Sequence, residues 1–290
     1  MDPSNYPAQN RRGCLSRLMG PLFIIAIAFF LYFANTEKNP VTGVSQRVGM
    51  SPTEEVRLGI EAAPQMSEQM GGEVSAQDPR AKLVQQMGNQ LVQRTEAKKG
   101  PWKFQFHLLK DSKTINAFAL PGGQIFITLG LFNELQNEAQ LAGVLGHEMG
   151  HVIQRHAAQQ MAKGQLGQML VLATQVGISD GSSGGSQAAL IANVINQMTQ
   201  LHYGRSDELE ADIWGINLMS KAGYNPEAML EVMQILKKAG SSAHGPEMLQ
   251  THPYPEKRIE QIQEYLRKNR QLPSLRNGRN LKDIVIRGDE

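Results

Sequence analysis

His147, Glu148 and His151 stand in the pattern H-E-x-x-H, inside the run EAQLAGVLGHEMGHVIQRHAAQQMAK at residues 138–163. That run reads as one helix. Residues four apart on a helix share a face, so both imidazoles can reach one metal ion. Two neutral histidines at this spacing suit zinc. Glu148 lies about 100° round from His147, near enough to hold a water beside the metal and take its proton. The bland alternative is a polar face with two incidental histidines. The rest of the helix argues against it. Leu141, Leu145, Met149, Val152 and Ile153 fall on the opposite side as a core-facing stripe. Gly143, Gly146 and Gly150 form a third stripe, and each costs the helix about 1 kcal/mol relative to alanine. Glycines in register imply that another backbone packs close.

Zinc in a hydrolase needs three protein ligands and an open position. RSDELEAD, residues 205–212, opens a second helix, with Ser206 as its expected cap. Glu208 and Asp212 are four apart on one face. One carboxylate can bind the metal while the other accepts the free N–H of a ligand histidine and fixes its tautomer. Alone, such a run reads as a solvated acidic face; beside H-E-x-x-H that balance reverses. Arg205, His202, Tyr203 and His252 are all candidates to donate to a developing oxyanion.

Three stretches in this order, ALPGGQIFITLGLF, LAGVLGHEMGHV and RSDELEADIWG, resemble the HtpX and BepA-like zinc metallopeptidases. These belong to a gluzincin superfamily that also contains the CAAX prenyl endoprotease. The likeness covers residues 51–270. Its E-x-x-A-D pattern falls on Glu208, Ala211 and Asp212, which implies Glu208 as third zinc ligand beside His147 and His151, and Asp212 as the orienting group. It implies one Zn²⁺ per chain, polypeptide substrates and an α+β, mostly helical gluzincin-type fold with a small antiparallel sheet. The strand Gln124, Ile125, Phe126, Ile127, Thr128 would be an edge that pairs with extended substrate. Thr251-His252-Pro253, with Arg258 beyond, completes the likeness. His252 is by resemblance a switch ligand that holds the enzyme inactive; an oxyanion donor and a cap on the helix from Pro255 are equal rivals.

The elements that must position these groups follow from pattern. Residues 1–17 read as a cytoplasmic tail. Residues 18–34, LMGPLFIIAIAFFLYFA, carry no charge and read as one transmembrane helix, with Phe29, Phe30, Tyr32 and Phe33 as an interfacial belt. A cleaved signal peptide is the rival, disfavoured because Tyr32 and Phe33 occupy the cleavage region. Arg11, Arg12 and Arg17 precede the span, which puts the N-terminus in the cytoplasm and the rest outside it, on the periplasmic side of a bacterial inner membrane. Residues 35–50 read as a linker. Ser51-Pro52-Thr53-Glu54 is a capping box opening a helix that should be interrupted near Pro64. Asp78-Pro79 starts another helix. Residues 102–109, 116–120 and 124–128 read as strands, and His107 as structural. Residues 164–201 read as an apolar helical hairpin, and 271–290 as a C-terminal tail.

Net charge is +2 with scattered basic residues, so nothing invokes nucleic acid, and the single cysteine, Cys14, excludes an internal disulfide. The expected protein is a membrane-anchored zinc endopeptidase, and the family resemblance implies misfolded or unassembled envelope proteins as its substrates. The rival is a non-proteolytic tethered chaperone or assembly factor whose zinc site is structural or plugged.

Overall fold

The computed structural model describes residues 13–175, 191–192, 195–198, 201–240, 248–253, 255–269 and 275–286. The chain is mostly helical. Helix α1, Gly13–Ala34, leads into a hairpin of β1, Thr36–Lys38, and β2, Ser45–Arg47. Helices α2, Pro52–Gln69, and α3, Pro79–Arg94, precede strands β3, Gln105–Leu109, β4, Ala117–Leu120, and β5, Gln124–Thr128. The short α4, Leu129–Glu134, then leads to α5, Glu138–Ile153, and α6, His156–Gln175. After the gap come α7, Arg205–Lys221, α8, Ala228–Gly240, α9, Met248–Thr251, α10, Pro255–Lys268, and α11, Lys282–Ile286.

The sheet departs from expectation. β4 and β5 form an antiparallel hairpin, but β3 joins the far side of β5 and runs parallel to it. The strand order is therefore β3-β5-β4, and the sheet is mixed. Gln124, Ile125, Phe126, Ile127 and Thr128 are paired on both sides and buried, so β5 is the central strand and not a substrate edge. The hairpin turn needs φ of +81° and +112° at Gly122 and Gly123, conformations that glycine adopts without a Cβ penalty. Phe126 is held between the rings of His107 and Phe118, at 4.6 and 4.9 Å. His107 also meets Glu73 and Gln124, in keeping with a structural role.

The metal helix is shorter than the sequence suggests. It ends at Ile153, and Arg155, at φ +57°, breaks it before α6. Distant segments hold both of its ends. At the N-terminus, Asn137 caps Gln140, while Glu138 and Ala139 donate to the carbonyls of Arg279 and Asn277. The polar 271–290 segment is thus, over its described residues, a strap over α5, with Leu281 buried in the core. At the C-terminus, Asn39 and Gln46 of the β1–β2 hairpin donate to the carbonyls of Ile153 and Gln154. The expected linker 35–50 is therefore a folded hairpin, turned by Asn39 Oδ1 accepting from Val41 and Thr42. The buried Arg155 guanidinium bonds Glu55, Glu37 and the carbonyl of Met50, fastening the hairpin and α2 to the helix break.

The capping box at Ser51 and Glu54 forms as expected. Helix α2 nevertheless runs through Pro64 unbroken, because Pro64 sits on the exposed face, where water can take the lost bond. Among the described residues no helix is long and apolar enough to cross a membrane. Helix α1 packs along α6 and leaves Met19, Leu22, Phe23 and Phe30 exposed. Of the apolar hairpin, residues 176–190 lie outside the described residues; Ile195 and Met198 join a second core cluster with α2, α6 and Phe126.

Candidate metal centre

The site begins with the glycine stripe. Helix α5 crosses α7 so closely that a Cβ on Gly146 would lie 3.1 Å from the Cα of Gly215. One on Gly150 would lie 2.9 Å from the Cα of Ala211. A Cβ at 150 would be closer than real side chains come, and one at 146 would force the facing backbone to give by a few tenths of an ångström, so glycine suits both positions. Gly143 faces Met229 at an ordinary 3.7 Å and is not required for the crossing. The close approach brings the carboxylate face of α7 onto the histidine face of α5. The cap of α7 is Gly204, whose amide donates to Asp207 at 3.2 Å; the expected cap, Ser206, lies inside the helix.

His147 Nε2 and His151 Nε2 converge at 3.1 Å, and Glu208 Oε1 stands 3.4 Å from His151 Nε2. His252 Nδ1 closes the group, 3.3 Å from His147 Nε2 and 2.9 Å from Glu208 Oε1. Four donors about 2.1 Å from a tetrahedral zinc stand about 3.4 Å apart, so this buried group fits one zinc ion. Beneath it, Asp212 Oδ1 lies 2.9 Å from His147 Nδ1. Arg258, from α10, bonds Asp212 through Nε and Nη2 at 2.8 and 2.6 Å and reaches Glu208 through Nη1 at 2.7 Å. On the other histidine, His151 Nδ1 faces His156 Nδ1 at 2.9 Å, and His156 Nε2 lies 3.3 Å from Glu210.

Charge follows from these neighbours. Burial works to raise Glu208 and Asp212, yet His252 and Arg258 outweigh it for Glu208, and Arg258 for Asp212, so both carboxyls are lowered. Burial lowers His151 well below the usual imidazole range, the neutral form a metal needs. Burial raises Glu148, against the pull of His252 and His147. Neither oxygen of Glu148 has a hydrogen-bond partner among the described residues. A buried carboxylate with a raised pKa and free lone pairs is suited to accept a proton from water.

Tyr203 and His252 both lie against His151. Tyr203 stacks on His151 with centroids 3.9 Å apart, and its amide donates to the carbonyl of Thr251, beside His252. His252 Nε2 points towards Glu148, at 3.8 Å. The cavity between β4, His151, Arg155 and Tyr203 is about 10 Å³, the space of one water.

The structure thus gathers His147, Glu148, His151, Glu208, Asp212 and His252. It does not gather Arg205, which is exposed at the first turn of α7 while the cluster is buried. Arg258 is the group sequence reasoning undervalued. Its signal was an arginine four and seven residues before Ile262 and Tyr265, on the apolar face of an amphipathic helix. His156 was missed because residues five apart do not share a face of an unbroken helix.

The model of peptidase family M48 matches residues 78–266. The chain is 31% identical over 226 residues to the beta-barrel assembly-enhancing protease of Escherichia coli, covering 76% of this chain and 45% of that protein. It is 34% identical over 193 residues to the protein of that name from Yersinia pestis, covering 61% of this chain and 37% of that one. It is 30% identical over 251 residues to the mitochondrial metalloendopeptidase OMA1 of Danio rerio, covering 82% and 52% respectively. The chain spans about half the length, or less, of these relatives. With the family match running from the start of α3 into α10 and over every residue of the metal group, this chain belongs to peptidase family M48.

Proposed function

We propose that the chain is a zinc-dependent endopeptidase that rests in a closed state. The observation that carries this reading is the convergence of His147, His151, Glu208 and His252 within bonding range of one ion, with Glu148 beside them. His147, His151 and Glu208 are the ligands, and Asp212, held by Arg258, orients His147. Zinc held there would supply a Lewis acid to acidify a water and polarise the scissile carbonyl. Glu148 takes the proton from the attacking water and returns it to the leaving amine. His252 would be the fourth donor in place of a water, with Tyr203 stacked on His151 beside it. The cavity beside His151 has room for about one water, so a peptide seated there would displace Tyr203, which lines it. An extended substrate would then add along β4, the sheet edge whose Ala119 and Leu120 line that cavity.

Substrates are misfolded or unassembled proteins, a reading supported by the relatives that are beta-barrel assembly-enhancing proteases. Residues 18–34 hold the domain at a bilayer, supported by the exposed Phe23 and Phe30, with the catalytic domain on the periplasmic side of a bacterial inner membrane. The second reading, a non-proteolytic assembly factor with a plugged zinc site, draws on the same His252 contact. It gives no reason for a buried carboxylate at Glu148 without a hydrogen-bond partner among the described residues.

Casein hydrolysis by the purified full chain, with and without chelator, tests the proposal. Glu148→Gln should keep its zinc and lose at least about 10²-fold in rate. Persistent cleavage by that variant overturns the mechanism.

A further inference from the structure

His156 is a buried histidine with both ring nitrogens in contact, and it lies outside the four-donor metal group. In an unbroken helix it would sit about 140° round from His151, out of reach of that ring. The positive φ at Arg155 breaks the helix and swings His156 beneath it, edge to face, with centroids 4.9 Å apart.

Two facing ring nitrogens bond only if one carries a proton and the other does not. His151 turns Nε2 to the metal group, so that nitrogen must keep its lone pair free. Its proton then resides on Nδ1 and is donated to His156 Nδ1. His156 in turn carries its proton on Nε2 and donates to Glu210 Oε2, whose carboxylate also accepts from Gln154. The order of donors is fixed from the ion outward. His147 ends in a carboxylate directly, at Asp212; His151 reaches one through a second imidazole.

We propose that His156 is a positioning residue: by accepting the Nδ1 proton of His151 and relaying to Glu210, it fixes the tautomer in which His151 Nε2 can bind zinc. This rests on the reading of His151 as a ligand. Outer partners of metal-bound histidines typically change metal affinity 10–100-fold when removed.

The test has two parts on the full chain in detergent. First, long-range ¹H–¹⁵N correlation of the histidine rings is recorded before and after zinc addition. The expected result is protonated Nδ1 on His151, protonated Nε2 on His156, and a zinc-induced shift at His151 Nε2. If that shift is absent, the ligand reading fails. If it is present but His156 carries its proton on Nδ1, only the relay fails.

Second, zinc affinity is measured by competition with a chromophoric chelator. His156→Leu should weaken binding at least about tenfold, and Glu210→Ala, on a half-exposed side chain, about threefold. His156→Asn, whose amide oxygen can stand where Nδ1 stood, should return affinity to within about threefold of wild type. Equal affinities for the Leu and Asn variants overturn the proposal. Should the Leu variant not fold, Glu210→Ala and the wild-type spectra decide it.

Discussion

His252 Nδ1 lies 2.9 Å from Glu208 Oε1, closer to that carboxylate than either histidine of the H-E-x-x-H motif. A histidine a hundred residues downstream therefore completes the donor group. His252→Ala should keep its zinc and raise casein hydrolysis about tenfold, because removing a competing donor favours the open state. A fall in rate with zinc retained would assign His252 a catalytic role instead.

The crossing of α5 and α7 predicts an asymmetry within the glycine stripe. Gly146→Val and Gly150→Val should each cost about 2–3 kcal/mol and lose zinc, since the added carbons meet the backbone of Gly215 and Ala211. Gly143→Ala faces only methionine sulfur and should be neutral or stabilising by up to about 1 kcal/mol. Urea denaturation with metal analysis checks the three together. Equal effects at 143 and 146 would remove the close crossing as the explanation.

The β1–β2 hairpin closes the C-terminal end of the metal helix through Asn39 and Ile153, 2.7 Å apart. Asn39→Ala leaves a helix-end carbonyl without its donor and should cost about 1–3 kcal/mol. It should also weaken zinc binding, because the break at Arg155 loses one of its ties. A variant with unchanged unfolding midpoint would show that the hairpin only rests against the domain.

Burial pushes the Glu55 carboxyl up to about 7, against the attraction of Arg155. Its folded pKa lies above the unfolded one, so its contribution is fully present below about 4.5 and is lost as pH rises towards 7. Folding stability from this group should decline across that window by up to about 3 kcal/mol. The Glu55→Gln variant should lack that part of the slope. Urea midpoints for both proteins at several pH values between 4 and 8 provide the comparison.

Membrane attachment through α1 predicts that the full chain stays with the membrane fraction after alkaline carbonate extraction. Phe23→Asp combined with Ile27→Asp should release it, at a cost of about 2.5–3.5 kcal/mol for each charge near the bilayer centre. Release of the unaltered chain by carbonate would remove the anchor.

Much of this protein is written locally. The i, i+4 spacing of His147 with His151, and of Glu208 with Asp212, follows from helix geometry and is visible in the sequence. So are the Ser51 capping box and the glycines that demand a close neighbour. What the sequence left open depends on contacts between residues far apart. Strand order is one such case: β4 and β5 share a turn that sequence can show, but nothing local says β3 will dock on the far side of β5 and bury the presumed edge. The break at Arg155 is another, held by Glu37, Glu55, Asn39 and Gln46 from a hundred residues upstream. Arg258 became part of the site only because α10 packs on α7 and buries its guanidinium against two carboxylates. Helical and strand periods are set by the backbone within a few residues, so sequence determined which side chains could bind a metal. Which of them are buried, joined and covered is set by packing between distant segments, and only the tertiary structure decided that.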